Sequence, residues 1–208
     1  MNTKVYVAPV DNLSYAQLYT AADDRRRAKA DAMRFFDDKR RCIAADGLLR
    51  YALSQLGITD YRVEADERGK PYLKDLPVHF SLAHSGSFVL CALSDAPVGC
   101  DIQKIRQVNM PLARRYFAPG EIALLENLPP EQAQEQFCRL WTLNESLGKA
   151  LGCGLDAHIL GREFDFSAAT PILKDGPGLF FREYSLPGYR CAVCAQDPDI
   201  SDLTQIAL

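Results

Sequence analysis

The stretch EQAQEQFCRLWTLNESLGKALG, Glu131–Gly152, has the composition and the length of one long helix. Its apolar residues repeat at helical spacing, and Gly152 suits the C-terminal cap. Glu145 and Lys149 are four residues apart and therefore share one face of this helix. The pair is either a surface salt bridge, which contributes about 0.3–0.5 kcal/mol, or half of a site that handles charged phosphates.

The rest of the chain predicts a second long helix and a set of strands. The helix begins at Asp37, carries one apolar face and stops near Gly57, while the preceding segment 13–36 is also helical in composition. Strands are predicted at KVYVAPV (4–10), VHFSLAHSG (78–86), SFVLCALS (87–94), PVGCDIQKI (97–105) and, among short strands in the tail, YRCAVCA (189–195). Each half thus combines a long helix with a small antiparallel sheet, which predicts an α+β fold.

Composition limits the classes of function. A chain of 208 residues with 48% hydrophobic and 25% charged residues is typical of a globular protein. The net charge of −3 argues against a globally basic nucleic-acid-binding protein. No segment reaches the length of a membrane span, and the N-terminal apolar run is short for a signal peptide. We therefore expect a cytoplasmic protein without a membrane or nucleic-acid partner.

The seven cysteines do not suggest a disulfide framework or a metal centre. Their number is odd and they are scattered along the chain. Cys191 and Cys194 form a C-x-x-C, but they lie in a predicted buried strand, without a second pair of cysteines to complete a zinc site. We expect packed, reduced thiols.

Oxygen-bearing side chains mark a candidate site. In PVGCDIQKI the strand pleat points Asp101 and Gln103 to the same side. This is either a polar strand face in water or, if Glu145 lies above it, a set of three oxygen ligands. Hard oxygen ligands with open positions suit magnesium that holds a phosphate-bearing substrate, and Lys149 would then lie near the phosphates.

Three further features are ambiguous on the sequence alone. His84 follows a predicted strand and is either a structural residue or a functional one. Gly69-Lys70-Pro71 is either an ordinary turn or a backbone that approaches a planar ligand closely. The basic residues at 25–29 and 40–41 are either solvated helix faces or an anion site.

Taken in order, four of these motifs resemble the signature series of the 4′-phosphopantetheinyl transferases, in particular the two-lobed surfactin-synthetase-activating type. They are GKPYL, HFSLAHSG, VGCDIQKI and FCRLWTLNESLGKALG. The resemblance extends from the first helix to the start of the tail. It implies two similar lobes related by a pseudo-twofold axis, residues 1–100 binding coenzyme A and residues 101–208 carrying magnesium and the catalytic helix.

The resemblance also implies a reaction. Such enzymes transfer the 4′-phosphopantetheine arm of coenzyme A to a serine of an apo acyl- or peptidyl-carrier protein and release 3′,5′-ADP, with Mg2+ required. Asp101, Gln103 and Glu145 would bind the metal. Glu145 or a magnesium-bound hydroxide would serve as the base for the serine, and Lys149 would hold the phosphates and help the leaving group depart.

Substrate contacts follow from the same resemblance. His84 would contact the pyrophosphate, Gly69-Lys70-Pro71 would flank the adenine, and Arg41 would pair with the 3′-phosphate. Carrier proteins are usually acidic, so a basic segment should receive them. We expect it in RQVNMPLARRYF (106–117), at Arg106, Arg114 and Arg115. With both lobes in one chain, a monomer is expected.

Three motifs depart from the family pattern. Asn144 stands where lysine is usual, Ser81 and Ala83 occupy two positions of the histidine motif, and Gln103 replaces an acidic residue. We expect an active enzyme with weakened affinity for coenzyme A. The alternatives are a non-catalytic relative that binds coenzyme A or a carrier protein, a magnesium-dependent phosphate hydrolase, and a purely structural interaction domain.

Overall fold

The computed structural model describes residues 2–11, 13–156 and 159–208. The helices in these ranges are α1 (Tyr15–Ala21), α2 (Asp24–Asp31), α3 (Phe36–Ser54), α4 (Met110–Tyr116), α5 (Pro119–Asn127) and α6 (Pro130–Leu151). The strands are β1 (Thr3–Pro9), β2 (Val63–Ala65), β3 (Pro71–Leu73), β4 (His79–Ser85), β5 (Phe88–Ser94), β6 (Val98–Lys104), β7 (Phe164–Asp165), β8 (Ile172–Leu173), β9 (Phe180–Leu186), β10 (Tyr189–Ala195) and β11 (Ile200–Gln205).

Two main sheets organise the strands. The first has the order β11-β1-β5-β4, and the second has the order β6-β10-β9. The second sheet is antiparallel throughout. In the first sheet, however, β11 pairs with β1 in parallel. The prediction of two purely antiparallel sheets was therefore wrong for the first, because the last strand of the chain returns to the edge formed by the first.

The two sheets face each other across an apolar core, and each carries a long helix on its outer face. Val5 and Val7 of the first sheet pack in one cluster with Cys100 and Val193 of the second. Outside the first sheet, α3 packs against β1, β4 and β5; outside the second, α6 packs against β6 and β10. The α+β prediction, with one long helix on each sheet, is confirmed. The pseudo-twofold relation between the halves stays a prediction.

The edge strands β4 and β6 meet through serine side chains. The Ser81 hydroxyl accepts the Cys100 N–H at 3.0 Å, and the Ser85 hydroxyl accepts the Lys104 N–H at 3.0 Å. Strand β4 thus lies beside β6 and brings the two halves together at one seam. The division at residues 100 and 101 falls inside β6 and stays a prediction.

Several local expectations change in the structure. Segment 13–36 is not one helix: Asp23 caps the N-terminus of α2, accepting the Arg26 N–H at 2.6 Å, so α1 and α2 are separate. Helix α4 occupies part of segment 106–117, in which the carrier-protein dock is expected. In the described ranges, no helix is long and apolar enough to cross a membrane.

The expectation of unpaired cysteines is confirmed, since all seven thiols are free. Cys191 and Cys194 point to opposite faces of β10 and belong to different apolar clusters. Six of the seven thiols are buried, and only Cys153 is partly accessible.

Candidate active site

A glycine allows α6 to lie directly on β6. A Cβ at Gly99 would lie 2.9 Å from the Lys149 Cβ and closer still to the Ser146 carbonyl oxygen and the Ala150 nitrogen. The helix backbone therefore rests on the strand backbone, which is possible only where no side chain separates them. This contact sets the distance between the functional side chains of α6 and those of β6.

Asp101 and Lys149 form an ion pair under α6. The Lys149 ammonium lies 2.7 Å from the Asp101 Oδ1 and donates to the Cys100 carbonyl at 3.0 Å. Asp101 is only 8% exposed, so the alternative of a polar strand face in water is wrong for this residue. The alternative of a surface Glu145–Lys149 pair is also wrong, because the ammonium is directed to the carboxylate of β6.

Electrostatics couple the two carboxyl groups of this site. Burial raises the pKa of Asp101 above its usual value, while the Lys149 ammonium opposes that rise. Burial likewise raises the pKa of Glu145, and the negative charge of Asp101 raises it further. Burial alone would lower the pKa of Lys149, but Asp101 and other negative charges hold it above its usual range. Two partly desolvated carboxyl groups thus share one ammonium, an arrangement that favours an additional cation.

The donors at this position fit magnesium. Asp101 and Glu145 provide carboxylate oxygens, and Gln103 lies two residues along β6 with its amide nitrogen 3.5 Å from the Ser85 hydroxyl. No cluster of three His, Cys, Asp or Glu side chains suited to a metal occurs among the described residues. Magnesium often binds through one or two carboxylates and completes its shell with water and substrate phosphates. The two carboxylates of Asp101 and Glu145 match that preference.

A cleft of about 440 Å³ opens next to this pair, and its lining is strongly cationic. Within the described part of the chain, the lining contains no acidic side chain. Lys149 belongs both to the cleft and to the pair with Asp101. The other cations of the lining are Arg25, Arg26, Lys29, Arg68 and Lys70. In a chain of net charge −3, this concentration of positive charge selects an anionic ligand.

Most of the predicted binding residues meet in this cleft. Residues 69–71, His84 and Lys149 all line it. Arg41 is not among the lining residues, since its guanidinium binds Asp38 at 2.6 Å and the Gly86 carbonyl at 3.3 Å.

The structure also resolves the ambiguity in the basic run. Arg25, Arg26 and Lys29 face the cleft, whereas Arg27 turns away and binds Asp24. Sequence reasoning missed Arg68, although it directly precedes the glycine of the Gly-Lys-Pro turn.

Comparison with known proteins gives the family. A sequence profile described as the 4′-phosphopantetheinyl transferase superfamily matches residues 97–194. The 4′-phosphopantetheinyl transferase ffp of Bacillus subtilis is 32% identical over 201 residues, which cover 91% of this chain and 88% of that protein. The chain belongs to the 4′-phosphopantetheinyl transferase superfamily.

A second Bacillus enzyme agrees with this membership. The transferase Sfp of Bacillus subtilis strain 168 is 31% identical over 192 residues, covering 88% of this transferase and 86% of the relative. Among solved structures, the holo-[acyl-carrier-protein] synthase of Thermotoga maritima aligns with 48% of this transferase and 62% of its own chain, with a TM-score of 0.40 and 22% identity. The match to the Bacillus enzymes spans both halves of the fold.

Two of the departures from the family pattern lie away from the cleft of this transferase. Ala83 is buried in the apolar core between the sheets, so a hydroxyl at this position would not reach a ligand in the cleft. Asn144 is fully buried, and its amide donates to the Leu140 carbonyl at 2.9 Å within α6. These positions give no support to the expected loss of affinity for coenzyme A.

The predicted docking residues lie on the surface of the protein. Arg106, Arg114 and Arg115 are all exposed. Arg114 pairs with Glu126 at 3.0 Å, and the Arg115 guanidinium lies 5.3 Å from the centre of the Tyr116 ring. The segment presents positive charge to solvent, as a surface for an acidic partner would.

His84 makes the stability of the folded transferase depend on pH. Desolvation by its surroundings lowers the pKa of this side chain below 6.5, and Arg41, Lys149 and Lys29 add positive charge that Asp38 only partly offsets. The unfolded chain therefore binds a proton at mildly acidic pH that the folded protein does not, so the His84 contribution to stability is present above about pH 6.5 and is lost as pH falls through the folded pKa.

Replacing His84 with Gln should flatten this dependence. We expect the free energy of unfolding to fall less in H84Q than in the original protein between about pH 7.5 and about pH 5.5. Urea unfolding at the two pH values measures the difference. Equal losses in both proteins would show that His84 is not the responsible group.

Proposed function

We propose that this transferase binds coenzyme A in the cationic cleft and moves its 4′-phosphopantetheine arm to a serine of an apo carrier protein. The observation that carries the proposal is the position of Lys149, which lines the cleft and also binds Asp101. A ligand phosphate in the cleft would thereby lie next to the carboxyl groups that suit magnesium. Coenzyme A carries a 3′-phosphate and a pyrophosphate, which match a cleft whose charged lining residues are all basic.

The chemistry requires a base, a cation at the leaving group and a dry environment. The serine hydroxyl oxygen attacks the phosphorus that carries the pantetheine arm, and the bond from that phosphorus to the bridging oxygen breaks. Magnesium, held by Asp101 and Glu145, would neutralise charge on the pyrophosphate oxygens. The raised pKa of Glu145 suits this side chain to take the serine proton. The Lys149 ammonium would stabilise the 3′,5′-ADP that departs.

The remaining roles follow from the lining of the cleft. The backbone of residues 69–71 would flank the adenine, and His84 would contact the pyrophosphate. Arg25 and Lys29 are the cations of α2 best placed for the 3′-phosphate, because the Arg26 guanidinium lies 3.3 Å from the buried Asp46 carboxylate. Arg41 is occupied by Asp38 and lies outside the lining. The acidic carrier protein would dock on Arg106, Arg114 and Arg115.

An intact-mass assay tests the proposal. The protein is incubated with coenzyme A, magnesium and a panel of apo acyl- and peptidyl-carrier proteins, with a parallel sample in excess chelator. We expect at least one carrier to gain one phosphopantetheine mass and the chelated sample to gain none. Turnover of coenzyme A without any carrier would instead favour the hydrolase alternative.

Cys153 provides a separate measure of ligand binding. Its thiol lines the cleft and is the one partly accessible cysteine, since the other six are buried. We expect 3′,5′-ADP to slow alkylation of Cys153 at least about three-fold, because a bound nucleotide covers the thiol. Protection without transfer would identify the non-catalytic alternative, and loss of both would reject coenzyme A as the ligand.

A further inference from the structure

The backbone caps the C-terminal end of α6 only in part: the Gly152 N–H donates to the Lys149 carbonyl at 3.3 Å, but the Ala150 carbonyl has no backbone donor among the described residues. Gly152 adopts a left-handed conformation with φ of 69° and closes the helix. The N–H groups of Cys153 and Gly154 both bond the Gly148 carbonyl, at 3.1 and 3.2 Å. Helix ends require acceptors such as the Ala150 carbonyl to find other donors.

Lys70 adds a second donor for the Lys149 carbonyl and a donor for the Ala150 carbonyl, both from the opposite half of the chain. Its ammonium donates to the Lys149 carbonyl at 2.5 Å and to the Ala150 carbonyl at 3.3 Å. A cation at this end also interacts favourably with the helix dipole. Lys70 therefore acts as a C-terminal cap of α6 although it lies about 80 residues earlier, in the turn between β2 and β3.

The turn that carries Lys70 is itself fixed by hydrogen bonds. One carboxylate oxygen of Asp66 accepts the N–H groups of Arg68 at 2.9 Å and Lys70 at 2.8 Å. The Asp66 N–H in turn donates to the Lys70 carbonyl at 3.0 Å. Gly69, with φ of 82°, permits the tight path between them. These hydrogen bonds within the turn fix the backbone of Lys70 independently of the contact between its side chain and α6.

The capped residue is the one that connects the cleft to the carboxyl groups. Lys70 holds the carbonyl of Lys149, and the ammonium of Lys149 contacts Asp101 at 2.7 Å. We propose that Lys70 is a positioning residue: by capping α6 it fixes the last turn of that helix and keeps the Lys149 ammonium aligned with Asp101. The expected effect of Lys70 on kcat rests on the proposed transfer reaction, whereas its effect on the order of the last turn of α6 does not.

Hydrogen exchange tests the structural part. Lys70→Met keeps most of the aliphatic side chain but removes the donors, and Lys70→Arg restores a cation that can cap carbonyls. Lys74→Met is the matched control, because Lys74 lies on the same hairpin and pairs with Glu64 on the surface. We expect amides 152–154 to exchange about ten-fold faster in K70M, with K70R and K74M close to the original protein. Unchanged exchange in K70M would overturn the proposal.

A double-mutant cycle with Lys149→Met tests the functional part. We expect K70M alone to lower kcat about ten-fold and to change the affinity for 3′,5′-ADP less than about three-fold. In the K149M background, K70M should lower kcat less than about two-fold, because the group that Lys70 positions is already absent. Equal losses of nucleotide affinity in both backgrounds would make Lys70 a direct ligand contact and overturn the positioning role. If the original protein modifies no carrier, the proposed function fails while the exchange experiment still decides this inference.

Discussion

Replacement of Glu145 with Gln is expected to lower phosphopantetheine transfer about 10²–10⁴-fold, the range that a positioned general base contributes. Glutamine keeps the size of the side chain and one oxygen acceptor, but it cannot take the serine proton and carries no charge for a metal. Burial and the neighbouring Asp101 raise the pKa of this carboxyl group above its usual value. The intact-mass assay with an apo carrier protein measures the loss.

The control for this variant is Glu131→Gln on the first turn of the same helix, where the side chain is exposed. We expect E131Q to transfer at close to the original rate. Glu145 is not among the residues that line the cleft, so E145Q should still bind 3′,5′-ADP. Protection of Cys153 from alkylation measures this binding. Transfer by E145Q within about two-fold of the original rate would remove Glu145 from the role of base.

Replacement of Gly99 with Ala is expected to destabilise the protein by about 3 kcal/mol, the upper part of the usual range for overpacking. The added methyl group would meet the backbone of α6 at Ser146 and Ala150, which cannot rotate away as a side chain can. The helix would have to move off β6. For a chain of this size, the loss corresponds to a Tm about 6–12 °C lower, measured by circular dichroism during heating.

Gly120→Ala is the matched control. Gly120 lies in the first turn of α5, and a Cβ there would meet only the Glu163 side chain at an ordinary distance of 3.6 Å. Alanine has the higher helix propensity, so G120A should have an unchanged or slightly higher Tm. A Tm of G99A equal to that of the original protein would show that the helix and strand backbones are not in direct contact.

Periodicity and composition were sufficient to predict the helix and the strand that carry the site, but not the contacts between them. The helical spacing that predicts α6 depends on neighbours in sequence, and the strand pleat places Asp101 and Gln103 on one side for the same reason. Both predictions are local. Segment 13–36, which is helical in composition, forms two helices because the side chain of Asp23 caps the second one and separates it from the first. The parallel pairing of β11 with β1 was missed because it joins the two ends of the chain.

The cleft depends on contacts between residues far apart in sequence. Three separate segments bring cations together: α2, the turn before β3, and the end of α6. Their charges were visible in the sequence, but other basic residues are paired on the surface, as Arg27 and Lys74 are. Only the packed structure decides which basic residues line a common cleft.

The sequence by itself determined the α+β class, the long helix with Glu145 and Lys149 on one face, and the series of motifs that resembles the transferase family. These follow from local periodicity and from residue order. The tertiary structure alone decided that Lys149 pairs with Asp101, that Arg25, Arg26 and Lys29 face the cleft, and that Lys70 caps α6. Those facts depend on which side chains become neighbours when the sheets pack, and burial then sets their charge states.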